Sequence, residues 1–98
     1  MPHLLTPGKV ILKDFAQQGE GIKSTKFPGT EEIKDVVQVL FDDYGVRTNN
    51  ISIGKIDRDR LDRRPLSSAD VQVTFNPADT DLVRDLIENE LSGGIVER

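Results

Sequence analysis

Lys9-Val10-Ile11-Leu12-Lys13-Asp14-Phe15-Ala16 is the stretch on which the fold turns. Lys9 to Phe15 alternates well enough for a half-buried strand. Ile11, Leu12, Phe15 and Ala16 also fit one face of a helix capped at Thr6-Pro7. The strand reading is preferred, and it places a strand ahead of every downstream element.

Downstream, Pro28-Gly29-Thr30 opens a helix, with Thr30 as the cap and Glu31 and Glu32 beside the positive end of its dipole. Ile33, Val36, Val37, Leu40 and Tyr44 follow at helical spacing, and Gly45 ends the helix. Asn76-Pro77-Ala78-Asp79 announces a second helix, with a cap, a proline at its first position and an acid in its first turn. Leu82, Val83, Leu86, Ile87 and Leu91 form its expected buried stripe, and Ser92-Gly93-Gly94 stops it.

Between the helices, Ile51 and Ile53 alternate with Ser52 and Gly54. Ala69, Val71, Val73 and Phe75 alternate with Asp70, Gln72 and Thr74. These two strands are expected to make a hairpin, joined by a charged loop from about Asp57 to Ser68 that Pro65 interrupts. Ile95-Val96 is a short candidate last strand. The order β-α-β-β-α-β predicts an α+β domain of the ferredoxin-like split βαβ kind, with two helices on one face of an antiparallel sheet.

The chain has 98 residues, which fits a single domain spanning 1–98, with residues 1–8 expected to be flexible. Apolar residues are 36% and charged residues 31%, enough for a thin core and more apolar than a disordered chain. A domain this small buries only about two thirds of its unfolded surface, which favours a shallow site or flat interface over a deep pocket. No run approaches the roughly 20 apolar residues that span a bilayer, and Met1 to Thr6 lacks the features of a secretory signal. A cytoplasmic location is the expectation.

The absence of cysteine rules out disulfides, thiolate zinc sites and cysteine nucleophiles. His3 is the only histidine and is expected in a frayed terminus, which removes Ser-His and His-metal arrangements. Carboxylate pairs such as Glu31 with Glu32, Asp42 with Asp43 and Glu88 with Glu90 fall on solvated helix faces, and no calcium-loop spacing accompanies them. Gly19 to Thr25 superficially resembles a phosphate loop. A Walker loop, however, needs glycine directly before its lysine and another five residues before that one, where Ile22 and Gln17 stand. No catalytic set, metal site or cofactor is expected, and the chain is read as not an enzyme.

Charge patterning carries more. Residues 28 to 45 hold five acids against one lysine, and residues 77 to 91 hold five acids against one arginine, a net of minus four each. The one basic island, residues 55 to 64, holds five positive and three negative charges. Its Lys55, Arg58, Arg60, Arg63 and Arg64, with Lys23 and Lys26 ahead of the first helix, are the candidate contacts for an anion or nucleic acid, although Asp57, Asp59 and Asp62 partly cancel the field. Val39 and Phe41 lie off the apolar stripe of the first helix and are the candidate interface residues.

The leading expectation is therefore a small non-catalytic module for protein–protein interaction or assembly, with self-association included. The alternative is nucleic-acid binding through the 55–64 loop. A membrane partner is not expected.

Overall fold

The computed structural model describes residues 2–18, 30–54, 57–59 and 66–98. The elements are β1 (His3–Thr6), β2 (Lys9–Gln18), α1 (Thr30–Asp43), β3 (Thr48–Ile53), β4 (Asp57–Asp59), β5 (Leu66–Phe75), α2 (Thr80–Glu90) and β6 (Ile95–Glu97). A single 3-10 turn, Pro77–Asp79, leads into α2.

Lys9–Gln18 is a strand, and the helix-like spacing of its apolar residues has a structural cause. In the antiparallel pairing of β2 with β5, Leu12 faces Val71 and Phe15 faces Ala69, so Lys13 and Asp14 together oppose Asp70. This β-bulge resets the alternation. Val10 and Leu12 point into the core before it and Phe15 does so after it.

The chain has α+β architecture, with two helices and a mixed sheet in the order β3-β5-β2-β1-β6; the short β4 pairs with β5 off this path. The exact ferredoxin-like order is not matched. Residues 3–6, expected to be flexible, form β1 and fold back on β2 through Pro7-Gly8, with Thr6 opposite Lys9. Proline sets φ for the first turn residue, and Gly8 takes φ 79°, the left-handed conformation that the second position of such a turn requires. Pro7 therefore closes a hairpin and caps no helix. Because β1 lies between β2 and β6, β6 pairs in parallel with β1, which makes the sheet mixed where an antiparallel one was expected.

One sheet face is apolar. Ile51 of β3, Val73 of β5, Val10 of β2 and Leu5 of β1 line up across four strands, with Ile53, Val71 and Leu12 in the neighbouring row. Ile33, Val37 and Phe41 of α1 and Val83, Leu86 and Ile87 of α2 join these residues in one buried cluster, so both helices cover this face. Each such side chain contributes about 1.5–3 kcal/mol on full burial.

The helix ends follow their sequence signals. Asn76 Oδ1 accepts the Ala78 N–H at 3.0 Å, and the Thr80 hydroxyl donates to the Pro77 carbonyl at 2.7 Å. α1 closes with Val46 N–H on the Phe41 carbonyl and Gly45 N–H on the Asp42 carbonyl, both at 3.0 Å, with Gly45 at φ 72°. That is the Schellman pattern. The loop after β3 is shorter than expected, because Asp57–Asp59 pairs with Leu66–Ser68 as a further stretch of the hairpin.

Candidate interaction surface

The sheet positions both helices with their polar faces outward. On α1, Glu31, Glu32, Asp35, Asp42 and Asp43 are exposed. Val39 lies among them, 59% exposed, one helical turn from Asp35 and from Asp42 and Asp43. Gln38 anchors this helix at one side, donating to Asp42 at 2.9 Å and accepting from the Thr48 hydroxyl of β3 at 2.8 Å.

Phe41, paired with Val39 in the sequence-based expectation, is not on this surface. It is fully buried in the core, where it continues the row of Ile33 and Val37. The overlooked signal is Gly45. A left-handed glycine just past a helix brings the residue after it, here Val46, back over the residue four before it, and an apolar contact usually accompanies that geometry. Both Val46 and Phe41 are buried as it requires.

Leu82 departs from expectation in the opposite sense. Its apolar spacing places it on the buried stripe of α2, yet it is 40% exposed, and Val83, Leu86 and Ile87 fill the interior. Asp85 follows it one helical turn on, and Asp81, Glu88 and Glu90 are exposed on the same helix. Arg84 does not offset this charge freely. Its Nε donates to Glu97 at 2.9 Å and its Nη1 to Asp81 at 2.6 Å. These carboxylates, Glu97 foremost, hold the guanidinium still further above its usual range.

The two helices also meet through Tyr44, whose hydroxyl donates to Glu90 at 3.0 Å. Asn89, the largest single influence on this phenol, draws it down. Desolvation and the Glu90 carboxylate push it up, and the net position is above the ordinary value. The combined helical layer thus presents acids around two exposed apolar side chains, Val39 and Leu82.

The basic candidates are placed differently. Arg58 falls in the backbone of β4, beside β5. Lys55, Arg60, Arg63, Arg64, Lys23 and Lys26 lie outside the described residues.

His3 is the main correction among the polar residues. It is 3% exposed within β1, and no frayed end is seen there. Its Nδ1 accepts the Lys13 N–H at 2.9 Å, and its Nε2 lies 2.7 Å from the Ser92 carbonyl. An acceptor at Nδ1 and a donor at Nε2 define one neutral tautomer. The ring thereby satisfies the Lys13 amide, beside the β2 bulge, and ties it to the turn after α2. Both partners are backbone groups, so the role seen here is structural. Among the described residues, no three His, Asp or Glu side chains gather as a metal site. No helix among them is long and apolar enough to cross a membrane.

Comparison of the chain with protein-family models, with curated proteins and with solved structures finds no match.

Proposed function

We propose that this chain is a non-catalytic interaction or assembly module whose helical layer meets a basic protein surface. The observation that carries the reading is the pair of exposed apolar side chains, Val39 and Leu82, set within two acidic helix faces. Apolar contact at the centre of a patch supplies affinity, and the surrounding charge steers a partner of opposite sign. A copy of the same helical layer is repelled, so self-association, if it uses this layer, joins it to a different face of the second copy.

The test compares the wild-type chain with a Val39→Asp, Leu82→Asp double variant. Proteins captured by each are identified, and one is purified and titrated against both. A captured partner that binds the wild type in a salt-sensitive way and loses at least tenfold affinity for the double variant supports the reading. Equal affinity for the two overturns it. A DNA or RNA titration run in parallel addresses the alternative, for which binding that weakens on replacing Arg63 and Arg64 with alanine is the signature.

A further inference from the structure

The two edges of the sheet are built differently. β3 is irregular, with Asn49 unopposed between Thr48 and Asn50, and the groove beside it is lined by polar side chains including Glu31, Lys34, Asp35 and Asn50. Bulges and polar side chains are how proteins protect an edge from pairing. β6 carries no bulge, and two of its three residues, Ile95 and Val96, are apolar. Beside it runs a groove of about 380 Å³ lined by Ile87, Glu88, Leu91, Gly94, Ile95 and Glu97.

The hydrogen bonds to β1 show which backbone groups this edge offers. His3 N–H donates to the Gly94 carbonyl and Arg98 N–H to the Leu5 carbonyl, with His3 opposite Ile95 and Leu5 opposite Glu97. In a parallel ladder this directs the groups of Val96 toward β1 and the N–H and C=O of Ile95 and Glu97 toward the open side. No strand pairs with that side among the described residues. Ile95 and Glu97 share the sheet face that α2 covers, so a strand added here would send alternate side chains into the groove, over Ile87, Leu91 and Ile95. Its other side chains would lie beside Val96, which is 39% exposed on the opposite face.

Charge selects the occupant. Arg84 is engaged by Asp81 and Glu97, whereas Glu88 at the groove has no ion pair among the described residues. The chain carries a net charge of minus four, so an approaching basic segment is attracted and an acidic one repelled. We infer that the open edge of β6 docks an extended segment of a protein partner, with alternating apolar and basic side chains, by strand addition beside α2. This rests on the reading of the chain as an interaction module, and it uses a surface separate from Val39 and Leu82.

The probe is a seven-residue peptide alternating lysine and valine, titrated by NMR into the full chain. Two control peptides accompany it, one alternating glutamate and valine, the other the lysine peptide N-methylated at every second amide. On the protein, Glu97→Pro removes an outward N–H while leaving the bonds to β1 in place, and Glu97→Ala removes the same carboxylate but keeps the N–H. Expected are amide shifts at Ile95 and Glu97 with the lysine peptide, and none with either control. Glu97→Pro binds about tenfold more weakly than Glu97→Ala, the scale of one lost backbone hydrogen bond. Equal binding by the two variants, or no shift at Ile95 and Glu97, overturns the inference. Shifts confined to residues around Val39 and Leu82 overturn the edge site while leaving the interaction module standing.

Discussion

Replacing His3 with alanine tests how strongly the sheet depends on one side chain. The imidazole makes two hydrogen bonds, at 2.9 Å from the Lys13 N–H and 2.7 Å to the Ser92 carbonyl, from a site only 3% exposed. Each such bond is worth about 1 kcal/mol net, and a buried donor left without an acceptor costs about 1–3 kcal/mol. Removal of the ring adds the loss of packing that accompanies any buried large-to-small change. About 3 kcal/mol in total is expected, a large share of the roughly 5–15 kcal/mol that holds a domain together. For a domain of this size that corresponds to a fall in Tm of roughly 12–24 °C. The assay is urea unfolding followed by far-ultraviolet circular dichroism, with a thermal melt alongside. Glutamine, which retains both an acceptor and a donor, should recover part of the loss. If His3→Ala unfolds within 0.5 kcal/mol of the wild type, the ring does not hold the bulge to the turn after α2 and the assignment of its role fails.

Three other outcomes follow from the same structure. Phe41→Ala should cost about 3–5 kcal/mol in urea unfolding, whereas Val39→Ala, at a 59% exposed position two residues earlier, should stay within about 0.5 kcal/mol; similar losses at both would contradict the placement of Phe41 in the core. Gly8→Ala should destabilise more than Gly45→Ala, although both glycines have positive φ, because a Cβ at Gly8 would lie 3.0 Å from Pro77 Cγ and 3.1 Å from the Phe75 carbonyl while one at Gly45 meets nothing within 4 Å. For Gly45→Ala the left-handed backbone alone costs about 1–2 kcal/mol. Ultraviolet titration of Tyr44, the one tyrosine, should give a midpoint above the ordinary value of about 10. Glu90→Gln should lower that midpoint and Asn89→Ala raise it, and unchanged midpoints would show that neither group faces the phenol. Since the folded state favours the protonated phenol, the Tyr44 contribution to stability is present below the ordinary tyrosine range and is lost as pH rises through the elevated value.

Much of this fold was legible because local signals and burial agree. The Asn76-Pro77 lead into α2 and the alternation of Ala69 to Phe75 reappear in the structure, whereas α2 ends at Glu90, with Leu91 already extended, ahead of the Ser92-Gly93-Gly94 expected to stop it. What stayed hidden depends on pairing between distant residues. β1 is four residues long, and nothing in His3-Leu4-Leu5-Thr6 marks it as a strand until β2 and β6 flank it. The strand order therefore came out differently from the element order. His3 was hidden for the same reason, since its partners lie ten and 89 residues away. Leu82 and Phe41 were exchanged between surface and core because apolar spacing gives a helical face only to within about one residue's rotation. Gly45 held the information that places Phe41 correctly. For the proposed interaction surface, the sequence disclosed the acidic faces and Val39. The β6 edge became visible only once β1 had been found beside it.

The bulge between Leu12 and Phe15 has a consequence for how the chain avoids mispairing. β2 and β5 are each ten residues long and rich in residues of similar shape. In a regular ribbon, a slip by two residues would keep every apolar side chain on the inner face and exchange one valine pairing for another, a nearly degenerate error. The extra residue removes that degeneracy. Once β2 slips past β5, the doubled step no longer sits opposite Asp70, Phe15 loses its place opposite Ala69, and the Lys13–Asp70 ion pair at 3.2 Å is broken. A local irregularity thus acts as a key, admitting one alignment of two strands that could otherwise join in several.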